Sequence, residues 1–377
     1  MLRAIEALVG AVVGVGIFGL PYAFAQAGFV IGLAYLLALG TVMVTVLLMF
    51  SEVVLVTPGR HHLSGYVRTY FGAGWGKFAA FLTIAGNWGA LVAYVLVGGQ
   101  FAYSLLSPLL GGELFLYQVV FMMVGFLVTL RGLSFISRVE MYLVAALVLA
   151  ILALAVGGVP HVAIEPLLYV SSSDAFLPYG VVLFAIGGIS LVPEMRDILG
   201  KHASHLRRVV PWSYVVIVAL YTIFAFTVVS VTGLNTSPEA IAGFGKVVGQ
   251  WALFVGALMG FLAVTTSFFL VSVSSQDLLE LDYGSSRLLA WFATLSVPAI
   301  VILLGVRDFV EVMGFTGAVF SGGVAIFAVA LFLRVRARRG RRGKDAIDFP
   351  SWAGYLVAAI FVIGIALELG SNLLERL

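Results

Sequence analysis

Gly14-Val-Gly-Ile-Phe-Gly-Leu-Pro21 interrupts the first long apolar stretch of the chain, and Gly187-Gly-Ile-Ser-Leu-Val-Pro193 interrupts the sixth. In both, a glycine stands five residues before the proline: Gly16 before Pro21, Gly188 before Pro193. A bilayer offers no water to backbone N–H and C=O groups, so unwound backbone at membrane depth survives only inside protein or beside a cavity. Small residues such as Gly10 and Gly14, four apart, also let helices pack closely. Two breaks of equal spacing in corresponding halves point further, to a transporter binding site.

The surrounding composition requires a membrane. Of 377 residues, 62% are hydrophobic and 10% charged, more apolar surface than a soluble domain of this length can bury. The chain has no cysteine, which excludes disulfides, thiolate metal sites and cysteine nucleophiles. Its five histidines form no HExxH-type motif. With no catalytic dyad, cofactor motif or metal cluster in sight, an enzyme is not expected. A channel is not expected either, because no ring of acids or repeated filter sequence is present. The first apolar run begins at Ala4 without a basic leader of any length, and reads as a retained helix and not a signal peptide.

At about 20 apolar residues per crossing, eleven spans are expected: 4–27, 29–57, 75–107, 114–131, 138–158, 176–196, 209–233, 245–276, 287–305, 309–333 and 350–372. The fold class expected is an all-α membrane protein, one transmembrane domain over residues 1–377. Five spans make each half (4–158 and 176–333), and 350–372 is an added helix. Because five is odd, the second half enters from the opposite side, an inverted repeat with its broken helices in equivalent places. With the N-terminus in the cytoplasm and the C-terminus outside, eighteen of the twenty-one Lys and Arg fall on the inner side, as positive-inside bias demands. Only Lys246, Arg307 and Arg376 fall outside. The run from Arg334 to Lys344 reads as a loop touching anionic lipid, not nucleic acid. The Asn235-Thr236-Ser237 triplet matches a glycosylation sequon, but the short tails suggest a prokaryotic cytoplasmic membrane. A monomer is expected.

Each break frees backbone groups at mid-membrane. The half-helix starting after Gly16 presents amides with about half a unit of positive charge, suited to a carboxylate. The half-helix ending near Val13 presents carbonyls, suited to a cation. No Lys or Arg lies deep in a span. The natural cargo is therefore a zwitterion with a cation, held by Gly14, Val15 and Gly16 on one side and Gly187 and Gly188 on the other.

The segment Gly14–Gly28 resembles the first-helix signature of the amino acid/auxin permease family. Leu183-Phe-Ala-Ile-Gly-Gly-Ile-Ser-Leu-Val-Pro-Glu194 is similar to that family's sixth helix, and Gly89–Gly99, with Tyr94, to its third. The resemblance implies a LeuT-type fold and amino acid transport by alternating access, with Tyr94 and Phe184 on the substrate path. Ile186 and Ile189 depart from the family's aromatic and polar residues. They make the pocket more apolar, so small or branched neutral amino acids are expected over aspartate, glutamate or lysine.

In the eighth span Ala263, Thr266 and Ser267 put one carbonyl and two hydroxyls on one helical face. Such hydroxyls also bond back to their own helix. In sodium-coupled members of the fold this arrangement forms the cation site, here with the carbonyls of Gly10 and Val13; Ser267 is placed beside the substrate as well. Sodium is thus the expected coupling ion, with no other cofactor. Proton coupling or exchange is the alternative within transport, and an amino-acid-sensing membrane protein the alternative outside it. The fifth span has no lysine to take a cation's place, its one acid being Glu140. Glu6, Glu52 and Glu194 are ionisable groups in or at spans and hence functional candidates. Glu194 can pair with Arg196, cap a helix end or carry a proton, and pairing is the expectation over proton carriage. Arg3 with Asp277 or Asp282 is expected to latch the inner side.

Overall fold

The computed structural model describes residues 1–59, 61–130, 136–339 and 349–374. Arg60, Arg131, Arg341, Arg342, Lys344 and Arg376, counted above for orientation, lie outside the described residues, as do the side chains of Arg138, Glu140 and Arg339. Among the described residues the chain is helical throughout, without a strand. In order, the helices are α1 (Leu2–Val12), α2 (Gly16–Ala27), α3 (Phe29–Val56), α4 (Leu63–Phe71), α5 (Ala73–Leu110), α6 (Leu114–Thr129), α7 (Ile136–Gly158) and α8 (Glu165–Leu168). They continue with α9 (Leu177–Ala185), α10 (Val192–Leu199), α11 (Leu206–Thr232), α12 (Ile241–Val248), α13 (Gln250–Tyr283) and α14 (Arg287–Leu303). The last are α15 (Phe309–Phe315), α16 (Gly322–Arg339) and α17 (Ser351–Leu374).

Every apolar stretch read from the sequence coincides with one of these helices or a broken pair of them. By length and hydropathy, α3, α5, α7, the α15–α16 run, α13, α17 and the run Leu177–Asn235 can each cross a membrane. The bent pair α1–α2 adds another, and α6 and α14 are shorter apolar helices. Two elements escape the apolar pattern, one between stretches and one within the tenth. In α4, Leu63, Tyr66 and Val67 are buried. Their three- and four-residue spacing is that of a helix with one face on the protein. A π-helical turn, Thr316–Ser321, separates α15 from α16.

The core forms where helices meet through small residues. At Gly180 of α9 an added Cβ would lie 2.1 Å from Gly314 O, and at Gly317 2.0 Å from Gly180 O. Backbone thus touches backbone where α9 crosses the π turn, and only glycine fits. Gly28 joins α2 to α3 alone, at φ 110°, and a Cβ there would strike Tyr169 O; a chiral residue is excluded twice over. The chain after α7 closes this corner, Ser171 N donating to Ala27 O at 3.0 Å. At the other end Arg336 of α16 pairs with Glu52 of α3 (3.6 Å), both nearly buried.

Candidate functional site

The first break is built by a few backbone groups. Val13 N still donates to Val9 O, but Val13 leaves the helix at ψ 74°. Gly14 N then turns back onto Val12 O at 2.8 Å. The chain restarts as α2 at Gly16, bent by 59° from α1. The amides of Gly16 and Ile17, at the start of that half-helix, have no intrahelical acceptor.

The second break has the same glycine-to-proline spacing and a different build. Here α9 ends at Ala185, Gly188 lies outside helical geometry (φ −158°, ψ 8°), and a 3₁₀ turn over Ile189–Leu191 leads into α10. Pro193 falls at the start of α10, where its missing N–H is harmless. Pro21 falls inside α2.

The breaks touch. A Cβ at Gly16 would lie 2.5 Å from Ala185 Cα, and one at Gly188 3.2 Å from Val12 Cγ2. Two tyrosines of α11 bond to the carbonyls that the breaks expose. Tyr221 Oη is 2.9 Å from both Val12 O and Ala185 O. Tyr214 donates to Ile186 O at 2.6 Å. Both rings are buried. The sequence reading missed them, although the signal was there: two hydroxyls seven residues apart share one helical face, and a hydroxyl at that depth must find an acceptor.

The other expected site residues fall as follows. Gly14 faces α13, where a Cβ would lie 3.0 Å from Ser267 Oγ. Thr266 Oγ1 donates to Ala263 O at 2.9 Å, within α13 itself. Gly10 turns its open side to Val144 of α7. Val13 and Val15 are buried. Tyr94 is buried within electrostatic range of Tyr221. Phe184 is half-buried on α9. Ile186 is wholly enclosed and Ile189 nearly so. At Gly187 an added Cβ would meet only carbonyls of the preceding turn, at 3.5 Å and beyond, so room for a side chain lies there.

The charged pairs differ from expectation. Arg196 bonds the carbonyls of Val54 and Gly59 and lies 3.5 Å from Asp197, not paired with Glu194. No Arg3–Asp277 or Arg3–Asp282 pair forms; Asp282 accepts a hydrogen bond from Ser64 of α4 instead. The donor comes from α4, a helix not visible in the apolar pattern. A cavity of about 570 Å³ lies elsewhere, lined by Phe29, Leu33, Val156, Thr222 and Phe226 among others, and includes no residue of either break.

Comparison with known proteins gives the same architecture. A family model described as the tryptophan/tyrosine permease family matches residues 1–370. The crystal structure of MhsT in complex with L-phenylalanine matches with a TM-score of 0.71 at 15% identity, over 98% of this chain and 98% of that one. At that identity the likeness concerns the fold, the LeuT type. No curated protein matches the sequence.

Proposed function

Since the chain belongs to the tryptophan/tyrosine permease family, we propose that it carries neutral aromatic amino acids across the membrane by alternating access, with sodium as the coupling ion. This is a different family from the amino acid/auxin permeases that the first, third and sixth spans resemble. The shift from small or branched substrates to aromatic ones follows from that family and from Ile186, which is packed away and does not narrow the site.

The observation that carries the reading is the contact between the two breaks, with unpaired amides on one side and open space on the other. The amides of Gly16 and Ile17 suit the carboxylate. The ammonium is left to carbonyls not taken by the tyrosines: Val13 on the first break and Phe184 on the second, which accepts from Gly187 N at 3.4 Å and from the capping N–H of Ile186. The side chain then extends past Gly187. The solved structure of the same fold holds phenylalanine, an amino acid of the proposed class.

For the ion, Ser267 stands beside Gly14, and the Ala263 and Thr266 oxygens are neighbours 2.9 Å apart. Turning the Thr266 hydrogen away would free both oxygens for a hard cation. The same bond favours the rival, proton coupling, because it satisfies the hydroxyl with no cation.

Uptake of radiolabelled tryptophan into proteoliposomes, with sodium and pH gradients imposed separately, tests all parts. A sodium gradient is expected to drive accumulation, with phenylalanine and tyrosine competing best. Accumulation driven by a proton gradient and indifferent to sodium overturns the ion. Competition led by alanine or glutamate overturns the substrate. Saturable binding without uptake makes the protein a sensor.

A further inference from the structure

The carbonyl ends of two broken helices converge on one phenol. Half-helix carbonyl ends carry partial negative charge, and transporters commonly set a cation against them. Here the group between Val12 O and Ala185 O is the neutral Tyr221 hydroxyl, 2.9 Å from each, on a side chain with no exposed surface. A phenol has a single proton, so the two carbonyls share it. They are not equal partners. Val12 O also accepts from Gly14 N at 2.8 Å, whereas the chain unwinds directly after Ala185 and gives its carbonyl no backbone donor from the next turn. Without the phenol, Ala185 O is an unpaired acceptor in the membrane interior, and Val12 O is not.

We propose that Tyr221 is a positioning residue for transport: its hydroxyl occupies the place of a cation between the two breaks and holds α1 against α9, its hydrogen bond going to Ala185 O alone when α1 swings away. The proposal rests on the alternating-access reading above. It has two consequences. Release of α1 breaks only a shared hydrogen bond, because both carbonyls keep a donor afterwards. A coupling ion is also confined to the α13 side of α1, since the space between the breaks is already filled.

The test uses the absence of cysteine from the chain. Ala4 lies on α1 and is 1% exposed, so in Ala4→Cys the rate of maleimide modification of purified protein reports how often α1 leaves its seat. Adding Tyr221→Phe is expected to raise that rate about threefold, less than the roughly tenfold of one whole buried hydrogen bond, because only a shared one is lost. Adding Tyr214→Phe, whose hydroxyl touches Ile186 O and not α1, is expected to leave it unchanged. Equal rates with tyrosine and phenylalanine at 221 overturn the proposal. So does an equal rise with Tyr214→Phe, which would mean general loosening. Should Tyr221→Phe not give monodisperse protein, difluorotyrosine at 221 keeps the shape and strengthens the donor; labelling is then expected to slow, and an unchanged rate overturns the proposal. No transport is needed for this readout. A chain that binds but does not carry fails the uptake experiment and can still pass this one.

Discussion

Gly16 shows how much one hydrogen atom decides. An alanine there would bring Cβ within 2.5 Å of Ala185 Cα, and backbone cannot yield as a side-chain tip can. Gly16→Ala is expected to cost about 1–3 kcal/mol, the usual range for overpacking, and to weaken substrate binding as well, because the amides it displaces are those offered to the carboxylate. Thermal unfolding with and without tryptophan checks both. Unchanged stabilisation by the ligand would remove Gly16 from the site. On α13, Thr266→Val with Ser267→Ala is expected to abolish sodium-dependent thermal stabilisation and sodium-driven uptake together, since two hydroxyl oxygens leave the proposed shell. By linkage, sodium and substrate should each tighten the other by the same factor in the unmodified protein. At this scale the sequence was explicit about glycine and only suggestive about tyrosine, whose signal was two hydroxyls seven residues apart on one helical face. Two glycines at equal spacing from a proline announced the breaks, whereas the partners of Tyr214 and Tyr221 are set by the folding that brings α11 across both breaks.

Among the elements, α9 and the π turn meet through backbone and not through side chains. Gly180 and Gly317 meet backbone to backbone, and neither can carry a Cβ without the helices parting. Gly317→Ala is expected to lower the melting temperature by several degrees, from a cost again of about 1–3 kcal/mol. Gly305→Ala, where an added Cβ meets nothing within 4 Å but φ is 98°, isolates backbone strain from crowding. If the two variants melt alike, crowding at Gly317 is not the cause. The positions of the long helices were legible because a membrane-crossing helix must be apolar along its length. The π turn was not, because its extra backbone residue leaves no mark in composition. Nor was α4, whose nine residues are too few for a crossing. Its absence from the reading is why Asp282 was assigned to Arg3 when Ser64 stands nearer.

Across the whole molecule, charge is sparse and its placement consequential. The Glu52–Arg336 pair joins α3 to α16 with both side chains under a tenth exposed. Arg336 also stacks over Phe332, 4.7 Å from the ring centroid, and donates to Phe349 O. Removing one partner of a buried pair leaves the other charge stranded, typically a loss of about 3–5 kcal/mol. Glu52→Gln should therefore destabilise far more than Glu6→Gln, whose side chain is exposed; chemical or thermal denaturation in detergent measures the difference. The sequence flagged Glu52 as an ionisable group at a span end but could not name its partner, because the two lie nearly three hundred residues apart.

The corner at Gly28 carries a mechanical consequence. One residue links α2 to α3, and Ala27 O is held by Ser171 N, so α2 has no slack in which to pivot. Were the bend at Val13–Val15 to act as a hinge, one arm would be clamped and the travel would pass to α1, whose eleven residues make a lever of about 16 Å at the helical rise. A rotation of only ten degrees or so at the hinge would then sweep its far tip by roughly 3 Å, a water's diameter, on that lever length. An opening made this way is lopsided by construction: wide at the free end of α1, and nil at the end where α2 is anchored.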